Sequence, residues 1–173
     1  MVVSFFSDIA EKKLITVTIR EAPYNTLRNT NCQEWQSFLK TLDSSKYKIA
    51  IILDANNLSN GVFEGVEYCR VASVNVLFRT AIYRKACLNM FTIMDLLMQQ
   101  LLAILLCLPP KKYMSMMRPQ RIGCVILVQF SDEHHQHAMW KKNQRLVWNP
   151  DTTDVLVEAF NTYEKDFPDK PYL

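Results

Sequence analysis

Two polar stretches of the chain hold the residue types that can do chemistry. The first follows the apolar run Tyr47–Ala55 and offers carboxylates, amides and a hydroxyl: Asp54, Asn56, Asn57, Ser59, Asn60 and Glu64. In open α/β sheets ligands lie outside the carboxyl ends of strands, near helix N-termini, so this stretch is the predicted partner-binding site. The alternative is that the same side chains only satisfy turn and cap hydrogen bonds.

The second stretch, Asp132–His137, contains all three histidines of the protein. On a helix His134 and His137 are three residues apart and share a face, which makes them candidate metal ligands. Metal sites generally need three or four convergent ligands, and fewer are in reach here. We therefore expect a solvated polar face and no bound metal.

The sequence lacks the patterns on which catalysis usually depends. The only glycines are Gly61, Gly65 and Gly123, and no phosphate-binding glycine motif or nucleophile elbow occurs. Glu64 and Glu67 lie at a predicted helix start, where the helix dipole lowers the pKa of a carboxyl group. The two side chains would therefore be poor general acids. We therefore expect that the protein is not an enzyme and binds no cofactor.

Composition narrows the class of protein further. A chain of 173 residues with 49% hydrophobic and 21% charged residues suits one folded domain. The net charge of +3 comes from scattered basic pairs, so a nucleic-acid groove is not expected. Five cysteines without a CxxC motif indicate reduced thiols and a cytoplasmic protein without a signal peptide.

The apolar segment Phe91–Leu108 raises the question of a membrane span. Asp95, Gln99 and Gln100 interrupt it, and such groups are costly inside lipid. We expect no transmembrane segment, and instead the end of a strand followed by an apolar helix over Asp95–Leu108, which ends at two prolines. Residues 111–120 after it form a basic, methionine-rich loop that either contacts a partner or membrane or covers the helix.

Hydrophobic periodicity predicts alternating strands and helices. Strands are expected at residues 2–7, Leu14–Arg20, Tyr47–Ala55, Cys87–Met94 and Arg121–Phe130. Four helices are expected: one from Asn29–Asn31 through Leu42, a long one from Val62, one over Asp95–Leu108 and one that starts at Asp151 or Thr152. The long helix has its apolar positions at Val62, Val66, Cys69, Val76 and Leu77. The order predicts a single α/β domain, residues 1–165, with a C-terminal tail, 166–173. Its sheet is mixed, mostly parallel, with an N-terminal antiparallel β-hairpin and helices packed on it.

This succession of elements, with "IAIILDANNLSNG" and "LNMFTIM" as its strands, resembles the STAS domain of anti-sigma-factor antagonists and SpoIIAA-like proteins over Leu14–Val128. The resemblance implies a STAS-like sandwich whose strand-end aspartate matches Asp54. It also implies a phosphorylated serine at the start of the next helix, which makes Ser59 the candidate phosphosite. The stretches "ITVTIREAPYNTL", "IAIILDA" and "GVE" resemble the opening of crotonase-family acyl-CoA enzymes, whose backbone N–H groups form an oxyanion hole.

We expect a non-catalytic regulatory or protein-interaction module that contacts a protein partner through the turn after the central strand. One alternative is a carrier of a hydrophobic small molecule or lipid beside the apolar helix Asp95–Leu108. The other is a degenerate crotonase-like protein that binds acyl-CoA.

Overall fold

A computed structural model describes residues 12–21, 29–53, 63–92, 123–127, 144–147 and 149–167. Within these ranges the strands are β1 (Lys13–Ile19), β2 (Tyr47–Leu53), β3 (Glu67–Tyr68), β4 (Leu88–Thr92), β5 (Gly123–Leu127) and β6 (Gln144–Val147). The helices are α1 (Cys32–Thr41), α2 (Arg70–Val74), α3 (Val76–Lys85) and α4 (Thr153–Asp166). The alternation confirms the predicted α/β class.

The described strands form one parallel sheet in the order β3-β2-β1-β4-β5-β6. All seven residues of β1 pair with β2, from Lys13 opposite Tyr47 to Ile19 opposite Leu53, and Ile15–Thr18 also pair with β4. This order is that of doubly wound folds, in which the chain reverses its direction of travel between β1 and β4.

The expected N-terminal hairpin does not fit this arrangement around β1. Its first strand, residues 2–7, lies outside the described residues. Along Ile15–Thr18 both edges of β1 already pair with parallel neighbours, so no antiparallel partner can pair there. In the described part, the sheet is therefore parallel throughout and not mixed.

One face of the sheet carries the main apolar core. Alternate residues of β1 point to it, and Ile15, Val17 and Ile19 are each 0% exposed because α1 and α4 cover them. The buried residues of these helices are the predicted apolar stripes: Trp35, Phe38 and Leu39 of α1, and Leu156, Ala159 and Phe160 of α4. Burial of such stripes is the main stabilising term for helices of this length.

The opposite face of β1 carries a buried polar network beneath α3. Thr16 donates to the Asn89 side-chain oxygen over 2.5 Å, and the Asn89 amide donates to the Tyr83 carbonyl over 3.1 Å. The hydroxyls of Thr18 and Tyr83 are 2.8 Å apart. The network links β1, β4 and α3, so the sheet has helices on both faces.

The long helix predicted from Val62 is wrong in its bounds. The structure has instead the short strand β3 and two helices that meet at Asn75, whose side chain accepts a hydrogen bond from the Phe78 N–H and caps α3. Strand β6 was not predicted.

The membrane question is answered only for part of the chain. No helix within the described ranges has the length and apolar character that a membrane crossing needs. The predicted apolar helix Asp95–Leu108, the loop 111–120 and most of the tail lie outside those ranges.

Candidate functional site

The predicted partner site lies between two described anchors. Asp54, Asn56, Asn57, Ser59 and Asn60 fall outside the described residues, so the structure does not test their roles. Before them β2 ends at Leu53, on the carboxyl edge of the sheet. After them the chain returns at Phe63, whose buried side chain joins the core. The segment 54–62 therefore begins at the edge where ligands of parallel sheets bind.

Glu64 is the one predicted site residue that the structure describes. Its side chain is exposed, and its backbone is fixed to α1, because its N–H donates to the Gln36 side-chain oxygen over 2.9 Å and its carbonyl accepts from the Gln36 amide over 3.4 Å. The neighbouring Gly65 has φ +72°, a left-handed conformation that favours glycine. Tyr68 adds a second anchor, since its hydroxyl contacts the N–H of Phe63 and donates to its carbonyl. The chain at Phe63 and Glu64, directly after the segment, is therefore fixed by these contacts, with the Glu64 side chain exposed to solvent.

An exposed apolar surface follows on α2 and α3. Four aliphatic side chains within seven consecutive residues are exposed: Val71 (40%), Val74 (65%), Val76 (52%) and Leu77 (78%). We call these four side chains the α2–α3 patch. The sequence predicted Val76 and Leu77 as apolar positions of one long helix from Val62, whereas the structure breaks that helix at Asn75 and leaves both side chains exposed.

The two helices of the α2–α3 patch are joined by an arginine. The Nε of Arg79 donates to the Ala72 carbonyl over 2.5 Å, and one of its terminal nitrogens donates to the Ser73 carbonyl over 2.8 Å. These carbonyls belong to the end of α2, where backbone acceptors lack partners within the helix. Arg79 thereby fixes the angle between α2 and α3, so the α2–α3 patch is a defined surface.

A second polar cluster lies near the carboxyl end of β1, where the sheet order reverses. Asp151, which is 3% exposed, accepts hydrogen bonds at Oδ2 from the Asn31 N–H and from the Trp35 indole N–H, both over 2.9 Å. Asn31 immediately precedes α1, so the Asp151 carboxylate occupies the N-terminus of that helix. In doubly wound folds this N-terminus is the usual phosphate-binding position.

Glu34 caps α4 in return. Its Oε2 accepts hydrogen bonds from the Thr153 hydroxyl over 2.5 Å and from the Thr153 N–H over 2.6 Å. These two bonds lower the pKa of Glu34 below its usual range. The structure has Thr152 at the N-cap position of α4, one of the two residues predicted there, but its side chain makes no cap hydrogen bond. The acceptor for the start of α4 is Glu34 of α1, and the acceptor for the start of α1 is Asp151, which precedes α4, about 120 residues away in the chain.

Two hydrogen bonds join Arg20, after β1, to Thr30, before α1. The Arg20 N–H donates to the Thr30 hydroxyl over 3.0 Å, and the Thr30 N–H donates to the Arg20 carbonyl over 2.9 Å. Arg20 itself is only 4% exposed. Together with Asp151, these contacts place the protein's own polar groups near the carboxyl end of β1.

The described thiols are not suited to nucleophilic catalysis. Burial, followed by the negative charge of Glu21, raises the pKa of Cys32 to about 12. Burial also raises the pKa values of Cys69 and Cys87, and all three are unbridged. A thiol attacks as its thiolate, so these residues are inert near neutral pH.

Metal ligands are not grouped in the part of the chain that the structure describes, where no three His, Cys, Asp or Glu side chains converge. His134 and His137 lie outside that part, so their role stays a prediction.

The most prominent candidate surface, the α2–α3 patch, was missed by sequence reasoning. The only indication of it in the sequence was the group of valines around Asn75, and valines in such a group are equally typical of buried core positions. Comparison with known proteins gives no further assignment: no family model, no curated protein and no solved structure matches this chain. The resemblances to the STAS domain and to crotonases therefore stay predictions, and the structure assigns the chain to a parallel, doubly wound α/β fold.

Proposed function

We propose that this chain is a non-catalytic protein-interaction domain whose partner binds the α2–α3 patch together with the adjacent segment 54–62. The observation that carries the proposal is the exposure of four aliphatic side chains within seven residues, up to 78% at Leu77. Single exposed apolar residues are common on soluble proteins, whereas contiguous groups of them typically mark interaction sites.

The order of elements supports a joint surface. Strands β2 and β3 are neighbours and parallel, so segment 54–62 and α2 both start from the same edge of the sheet. The bonds from Gln36 fix the backbone of Glu64, which follows the segment in the chain, and those from Arg79 fix the end of α2 to α3 before a partner arrives. A preorganised surface binds more tightly because less conformational entropy is lost on association.

Ser59 remains the candidate phosphosite of this surface. A phosphate adds about two negative charges, which change partner binding when they lie in or beside the interface. Under this proposal, Ser59→Glu alters partner binding while the melting temperature stays unchanged.

A photo-crosslinking amino acid at position 77 tests the proposal. The matched control places the same amino acid at position 40, because Lys40 is also exposed but lies on α1, across the sheet from α3. We expect a discrete adduct with one partner protein from position 77, weakened by Val74→Ser, and none from position 40. The same adducts from both positions would argue against the α2–α3 patch as a specific surface.

The strand order favours a second candidate function, the binding of a small molecule at the switch point between β1 and β4. Asp151 occupies the N-terminus of α1, so such a ligand would lie toward the end of β4. The predicted apolar helix Asp95–Leu108 follows β4 in the chain, which suits the hydrophobic ligand expected from the sequence. Native mass spectrometry tests this directly: extra mass that denaturation removes supports a carried ligand, and the bare polypeptide mass argues against one.

A further inference from the structure

We draw no further inference here: the strongest candidate, the exposed apolar surface of the α2–α3 patch, carries nothing more, because it belongs to the surface already proposed for a partner and nothing within the described residues shows the chemistry of what covers it.

Discussion

Replacing Asp151 by alanine tests the reciprocal capping of α1 and α4. The change removes the acceptor of two donors, the Trp35 indole N–H and the Asn31 N–H. Trp35 is 0% exposed, so its N–H loses its partner in a dry site, which costs about 1–3 kcal/mol. Asn31 is exposed, so water can reach its N–H, and the loss there is that of a helix cap, about 1 kcal/mol.

The expected loss for Asp151→Ala is therefore about 2–4 kcal/mol in the free energy of unfolding. For a chain of this size a loss of ~3 kcal/mol lowers the melting temperature by roughly 6–12 °C. Urea unfolding followed by far-UV circular dichroism measures the free energy, and a thermal scan measures the temperature.

The matched control is Asp154→Ala. Asp154 is exposed in the first turn of α4, where a carboxylate stabilises a helix through its dipole by about 0.3–1 kcal/mol. Asp151→Asn keeps an oxygen acceptor and should lie between the two. If Asp151→Ala is no more destabilising than Asp154→Ala, the reciprocal capping does not hold the helices together.

Three further predictions concern other contacts of the same fold. The hydrogen bonds from Thr153 lower the pKa of Glu34, so their stabilisation is complete above the unfolded carboxyl pKa of about 4.3 and is lost as pH falls through the lower folded pKa. The stability difference between the natural protein and Glu34→Gln should accordingly be constant near neutral pH and shrink in acid, and urea titrations that show a pH-independent difference would contradict this. Cys32, with its pKa raised to about 12, should be alkylated by iodoacetamide at pH 8 more than about tenfold more slowly in the folded protein than in urea, and equal rates by peptide mass spectrometry would refute its burial. Tyr83→Phe leaves the buried Thr18 hydroxyl without its partner and should cost about 1–3 kcal/mol, whereas adding Thr18→Val should restore stability; additive losses in urea would disprove the buried pair.

The sequence predicted the elements of this fold better than their arrangement. Strands β2, β4 and β5 lie within predicted strands, and β1 begins one residue before its predicted start. The run of β2 is nearly continuously apolar, the pattern of a strand buried on both faces. The alternation in β1 predicted a half-buried strand, whereas Thr16 and Thr18 are as buried as the apolar residues between them. The spatial order of the strands, by contrast, depends on contacts between distant segments, and no local pattern shows that β1 lies between β2 and β4. The same residues allowed a hairpin before β1, which its two parallel neighbours exclude along Ile15–Thr18.

The candidate site was predictable only in part. The sequence correctly predicted that a strand ends near Asp54, at the edge formed by the carboxyl ends of the strands. The predicted role of the residues after it stays a prediction. The outward position of Val76 and Leu77 could not be read from spacing, because an apolar stripe looks alike whether it faces the sheet or a partner. The capping of α1 by Asp151 and of α4 by Glu34 was hidden because Asp151 also suited a cap of its own helix, and no local pattern joins residues about 120 positions apart.

The most direct measurement of the central claim is quantitative partner capture with the natural protein, Leu77→Gln and the control Lys40→Gln at equal concentrations. Both substitutions lie at exposed positions, so all three proteins should share one melting temperature. The account predicts that a single partner is retained by the natural protein and by Lys40→Gln and is lost with Leu77→Gln. Equal retention by all three proteins would contradict the assignment of the α2–α3 patch as the partner-binding surface.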